Sequence, residues 1–109
     1  MRAMYVYILR CSDTSYYIGV TNDYACRFDE HQKGVNQACY TFERRPLTLV
    51  HVEECDGQLE AIAREKQLKG WSRAKKEALI RGDETMLSKL ALNRTGIITV
   101  RQHRTNNVP

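Results

Sequence analysis

Residues 15–31, SYYIGVTNDYACRFDEH, string together Tyr17, Arg27 and His31. If the three converge, they suit phosphate chemistry. A guanidinium fork grips phosphate oxygens. A phenol, with a free pKa of about 10, takes a proton from water only with help from a nearby cation. An imidazole relays that proton or steers the phenol. A carboxylate that stands out lies nearly forty residues on, at Glu65. Over 59–70, Glu60, Arg64 and Gln67 cluster on one helical side and read as a wet face. Glu65 instead falls between Ile62 on one flank and Ala61 and Leu68 on the other. An acid in an apolar sector must be paired, hydrogen-bonded, metal-bound or neutral. A Glu65–Lys69 pair at i, i+4 is the plain structural alternative.

The elements that carry these residues follow from pattern and punctuation. YVYILRC (5–11) and SYYIGVT (15–21), separated by SDT, read as a β-hairpin. Pairing Cys11 with Ser15 sets Leu9 opposite Tyr17, Tyr7 opposite Gly19, Ile8 opposite Ile18 and Val6 opposite Val20. One face is then an apolar back of Val6, Ile8, Ile18 and Val20. The other is a front of Tyr5, Tyr7, Tyr17 and Gly19, with Tyr7 and Tyr17 as diagonal neighbours. Thr21, Asn22 and Asp23 all suit a helix N-cap, and a helix from about Asp23 to Lys33 would end at Gly34. It puts Arg27 and His31 on one stripe and Tyr24 and Phe28 on a buried one. RRPLTLVHVEEC reads as a third strand with Pro46 near its start. Asp56 and Gly57 open a helix through Lys69, and Ser72 caps another through Ile80. ETMLSKLAL suggests one more short helix and GIITV a short strand. The expected fold is α/β (α+β), a small, mainly antiparallel three-stranded sheet flanked by helices.

This ordered set resembles the GIY-YIG nuclease family, in its small single-domain bacterial UPF0213-like branch. That branch is related to excision-repair and junction-nuclease catalytic domains. The first motif stands here as Tyr5-Val6-Tyr7 and the second as Tyr17-Ile18-Gly19. Arg27 falls where the family's phosphate-binding arginine follows the second motif. Glu65, in EAIAREKQLKGW, falls where the metal-binding glutamate sits. Arg27-x-x-x-His31 and YTFERRP resemble the junction-nuclease and small single-domain branches, and the likeness covers about residues 4 to 82. Tyr5 departs from the glycine of the first motif. Some members place a late asparagine in the site, for which Asn93 is a counterpart. The resemblance implies metal-assisted phosphodiester hydrolysis. Glu65 would hold Mg²⁺ or Mn²⁺, and Arg27 would clamp a phosphate oxygen. Tyr17 would act as base, with Tyr7 as its partner and His31 as relay.

Each residue also has a plainer reading. Tyr7 and Tyr17 suit a cross-strand aromatic pair, Arg27 an exposed helix arginine, and His31 a favourable partner for the helix dipole. Tyr40 suits nucleic-acid contact or simple aromatic packing. KGWSRAKK suits a solvated face. It also offers Lys69, Trp71, Arg73, Lys75 and Lys76 for stacking and phosphate contacts, although a lone Trp there more often packs between helices.

Size and charge bound the rest. The chain has 109 residues, 17 Lys and Arg against 13 Asp and Glu, and a net charge of +4. That fits one domain and permits a polyanionic partner. Between Glu60 and Gly82, seven basic residues face three acidic ones. From Asn93 onward there are three arginines and no acid. Residues 1–92 are expected as the nuclease-like domain, and 93–109 as a basic, flexible tail. Cys11, Cys26, Cys39 and Cys55 show no C-x-x-C spacing and read as reduced, mostly core-filling thiols. No apolar run suits a membrane span and no signal peptide is evident, so the expectation is a cytoplasmic protein. The expected function is a divalent-metal-dependent DNA endonuclease in repair or recombination. RNA is an alternative substrate, and a protein partner for targeting is a further expectation. A nucleic-acid-binding module with little cleavage is the first alternative function. A structural domain whose tyrosines merely pack is the second.

Overall fold

The computed structural model describes residues 3–82. The chain divides after Glu65 into two compact units, Met1–Glu65 and Lys66–Pro109. ETMLSKLAL, GIITV, Asn93 and the 93–109 tail lie outside the described residues. No helix among the described residues is long and apolar enough to cross a membrane.

The first unit is built on a three-stranded antiparallel sheet. Strands β1 (Met4–Arg10), β2 (Tyr16–Thr21) and β3 (Thr48–Cys55) lie in the order β2-β1-β3. The hairpin has the expected register: Val6 opposite Val20, Tyr7 opposite Gly19, Ile8 opposite Ile18 and Leu9 opposite Tyr17. It closes with Cys11 N–H donating to the Ser15 carbonyl. β3 pairs with the other edge of β1, and its register shifts between Ile8 and Leu9. The bulge leaves Val50 unpaired, so Leu49 and Val52 both reach the front. Pro46 precedes the strand by two residues and does not interrupt its ladder.

Helix α1 (Tyr24–Lys33) begins where Asp23 accepts from the Cys26 N–H, and it ends at Gly34 in the left-handed region at φ 70°. A β-carbon at Gly34 would also strike the Arg45 guanidinium. A short 3₁₀ turn (Phe42–Arg44), not foreseen from the sequence, leads into β3. Helix α2 (Gln58–Lys69) runs across the unit boundary. In the second unit, helix α3 (Arg73–Arg81) is capped by the Ser72 hydroxyl, which accepts from Lys75 N–H, and it stops at Gly82.

The tyrosine front of the hairpin is covered, and two expectations need correction. Tyr7, Leu9, Cys11 and Leu47 form a buried cluster there, with Tyr17, Phe28, Leu49 and Val52 packed against it. Tyr24 does not share Phe28's burial. It is 37% exposed and meets Tyr5 edge-on. Arg64 is not on a wet face. It is buried against Glu53 and makes two hydrogen bonds to that carboxylate, at 2.8 and 3.0 Å. Glu53 pairs with Val6 and His51 with Ile8, so the apolar back carries a buried ionic group. A helical wheel counts only neighbours on its own helix and misses a partner supplied by a strand.

Candidate active site

Gly19 makes room for the centre of the site. A β-carbon there would overlap the Tyr7 phenol, so the ring lies across the glycine backbone. This directs the Tyr7 hydroxyl toward α1, where it meets His31 Nε2 at 3.0 Å. The other ring nitrogen, Nδ1, lies 2.8 Å from Thr41 Oγ1. Thr41 in turn donates its hydroxyl to Cys39 Sγ at 3.4 Å. Its oxygen therefore accepts from His31 Nδ1–H, which leaves Nε2 to accept from Tyr7 O–H. The hydrogen bonds run one way, Tyr7 to His31 to Thr41 to Cys39.

Tyr17 stands beside this chain. Its ring meets His31 edge-on, with centroids 5.1 Å apart, and lies 6.3 Å from the Tyr7 ring. Tyr17, Arg27, His31, Cys39 and Thr41 line a cavity of about 200 Å³, together with Glu30 and the 34–36 turn. That is smaller than the roughly 300–1,000 Å³ of small-molecule pockets. It suits one group of a larger ligand.

A second lattice of bonds holds the Cys39–Thr41 wall. Arg44 stacks over the Tyr40 ring at 3.7 Å, donates to the Tyr40 carbonyl at 2.7 Å and pairs with Asp13 at 3.1 Å. Tyr40 O–H donates to Ser15 Oγ at 2.9 Å. The hairpin turn and the loop after α1 are thereby tied together. Tyr40 is 43% exposed, and its ring is nearly parallel to that of Tyr17.

The electrostatics follow from this packing. Burial pushes the Tyr7 phenol far above its ordinary range, with the Tyr17 charge adding to it and Arg27 opposing. Tyr17 is also raised, first by burial, then by Cys39, and less strongly by Glu65, again against Arg27. His31 is lowered by burial and then by Arg27, so the imidazole is neutral at pH 7. Burial raises the Cys39 thiol, but hydrogen bonds from Thr41 and Tyr17 outweigh it and leave the thiol below its ordinary value. Arg27 supplies the positive charge of the site. It pairs with Glu30 at 3.2 Å, and about half of its side chain faces solvent.

Tyr7, Tyr17, Arg27 and His31 are therefore brought together, though Tyr7 is only 1% exposed and touches the cavity through His31. Glu65 is half-buried and does not line the cavity, and its charge is the least of the causes that raise Tyr17. Cys39, Thr41 and Glu30 were not singled out from the sequence. Thr41 sits inside YTFERRP, which was the available signal, whereas Cys39 read as a core filler. Of the four cysteines, Cys11 and Cys55 do fill the core, while Cys26 is exposed. In the second unit, two expected nucleic-acid contacts are corrected. Trp71 and Lys75 are each 4% exposed, and the Lys75 ammonium lies 4.5 Å from the centre of the Trp71 ring. Neither offers a stacking or phosphate-binding surface. Lys69 and Arg73 are exposed, with Arg73 paired to Glu77, and Lys76 is half-exposed.

Comparison with known proteins places this geometry. Residues 3–78 match the GIY-YIG catalytic domain family. A UPF0213 protein of Halobacterium salinarum is 48% identical over 75 residues, which cover 69% of this chain and 96% of the relative. A UPF0213 protein of Staphylococcus aureus is 41% identical over 81 residues, 74% of this chain and 98% of the relative. The solution NMR structure of a protein from E. faecalis is 32% identical, with a TM-score of 0.54 over 78% of this chain and 90% of that one. The tyrosine hairpin, the Arg27–His31 helix and the Glu65 helix all fall within the matched span, and the chain belongs to the GIY-YIG nuclease family, in its small UPF0213 branch.

Proposed function

We propose that this chain is a divalent-metal-dependent endonuclease that hydrolyses DNA phosphodiester bonds in repair or recombination. Family membership implies a nucleic-acid substrate. The observation that carries the reading is the convergence of Tyr17, Arg27 and the Tyr7–His31 pair on one cavity. DNA is the partner and the cytoplasm the setting in this reading.

The residues present fit a hard cation. Among the described residues, no three His, Cys, Asp or Glu side chains gather into a metal cage. Mg²⁺ commonly needs only one or two carboxylates, with water and substrate phosphate completing its shell. Glu65 would be the protein ligand. Mg²⁺ or Mn²⁺ bound there supplies positive charge to the developing oxyanion and leaving oxygen.

The chain's own residues do the rest. Arg27 grips a non-bridging oxygen and holds the phosphate at the cavity mouth. Tyr17 orients the attacking water and takes its proton, and it is the tyrosine with access to the cavity. Tyr7 is too buried to touch water. Its hydroxyl fixes the tautomer and tilt of His31, whose ring packs edge-on against Tyr17. Both phenols are pushed upward, so positive charge at the phosphate is required before Tyr17 acts as a base.

The same upward shifts favour a second reading, a nucleic-acid-binding module of this fold with little cleavage. Incubating the purified protein with duplex, flap, branched and single-stranded DNA in Mg²⁺ or Mn²⁺ separates the two. The endonuclease cleaves at least one substrate, and Glu65→Ala loses cleavage while retaining DNA binding. Absence of cleavage on all substrates supports the binding module. Equal cleavage by wild type and Glu65→Ala removes Glu65 from the site.

A further inference from the structure

The Glu53–Arg64–His51 group on the back of the sheet plays no part in the chemistry above, and it is expensive to bury. Glu53 is 0% exposed and Arg64 4%. Arg64 Nε and Nη2 donate to the two carboxylate oxygens at 2.8 and 3.0 Å, and His51 Nε2 lies 2.8 Å from Glu53 Oε2. A buried pair of this kind commonly adds no stability over apolar side chains of similar volume. It does impose geometry, because a planar fork on a planar carboxylate tolerates little rotation. The other fully buried residues of α2, Ala61 and Leu68, are apolar side chains that pack without a fixed direction. The Arg64 fork therefore constrains how α2 is rotated about its axis and where it lies along β3. Glu65 is the next residue, about 100° further around the helix.

We propose that Arg64 is a positioning residue that, through its buried fork on Glu53, sets the orientation of α2 and with it the placement of the Glu65 carboxylate. The proposal rests on the reading of Glu65 as the metal-holding group. The influence of Glu65 on Tyr17 gives it an observable that needs neither metal nor substrate.

The test uses the full chain with the double substitution Glu53→Leu/Arg64→Met, which replaces the ion pair by apolar groups. The expected protein stays folded, with an unfolding midpoint at or above that of wild type. Tyr17 is followed by NMR on ring-labelled tyrosine, and its titration moves to lower pH, as it does in Glu65→Gln. Mn²⁺ affinity, read by electron paramagnetic resonance, weakens about 10–100-fold, as for loss of a supporting partner of a metal ligand. A folded double variant with wild-type Tyr17 titration and wild-type Mn²⁺ affinity overturns the proposal. If the double variant does not fold, Arg64→Lys keeps the charge and loses the fork. It is expected to shift Tyr17 in the same direction, and wild-type behaviour there overturns the proposal equally. Unchanged Mn²⁺ affinity in Glu65→Gln sinks the metal reading, and the Tyr17 titration then still decides whether Arg64 aims Glu65.

Discussion

The two faces of β1 bury polar groups in opposite ways. On the back, Glu53 is charged, closed off from solvent and saturated by Arg64 and His51. On the front, Tyr7, His31, Thr41 and Cys39 form a hydrogen-bonded chain that opens onto a cavity. The back holds its ionised form so firmly that the Glu53 pKa falls to about 2, hydrogen bonds from His51 and Arg64 overcoming the cost of burial. The front does the reverse, and burial pushes its phenols and imidazole toward their neutral forms. A saturated charge has nothing left to offer a ligand, so it serves geometry. Neutral groups beside one exposed cation, Arg27, can still respond when a phosphate arrives.

The largest effect comes from breaking the back. Arg64→Ala leaves Glu53 buried without its main partner and should cost about 3–5 kcal/mol, measured by urea unfolding. In the wild type, the folded pKa of Glu53 lies below its ordinary 4.5. Its stabilising contribution is complete above that value and is lost as pH falls from about 4.5 toward 2. Acid unfolding of Glu53→Leu/Arg64→Met should lack that component.

Breaking the front should spare the fold and remove chemistry. Arg27→Ala is expected to lower cleavage by about 100–1,000-fold, as for loss of one donor to developing negative charge. Its unfolding midpoint should barely move, since the side chain is about half exposed. Tyr7→Phe is subtler. It removes the hydroxyl that holds His31 and should cost about 1 kcal/mol in thermal unfolding, with a further loss of cleavage through a misplaced ring. The smallest change is Glu30→Gln, which frees Arg27 from an exposed pair that is itself worth only about 0.2–1 kcal/mol. DNA binding should tighten slightly, by less than about fivefold, in a low-salt titration.

Much of the front was legible in the sequence, because its rules are local. Hairpin register follows from a three-residue turn and a period of two, and it set Tyr7 over Gly19 and separated Tyr17 from Ile18. Asp23 and Gly34 bounded α1, and an interval of four residues put Arg27 and His31 on one stripe. The roles given to these residues, and to Glu65, come from the family resemblance and await the cleavage experiments. The back was not legible. Glu53 and Arg64 lie eleven residues apart on different elements, and each alone looks like an ordinary surface charge. Thr41 and Cys39 escaped for the same reason, as their importance depends on a loop folding back onto His31.

The sequence by itself determined the three strands and three helices of the described residues, their order, the hairpin register and the tyrosine, arginine and histidine brought to the cavity. These depend on intervals of two to four residues, which the chain encodes directly. Only the tertiary structure decided which face is closed, which tyrosine can meet water and which charges are consumed by one another. Those outcomes depend on what covers each side chain. A buried Trp71 and an exposed one, or a solvated Arg64 and one locked to Glu53, read identically along the chain and differ wholly in what they can bind.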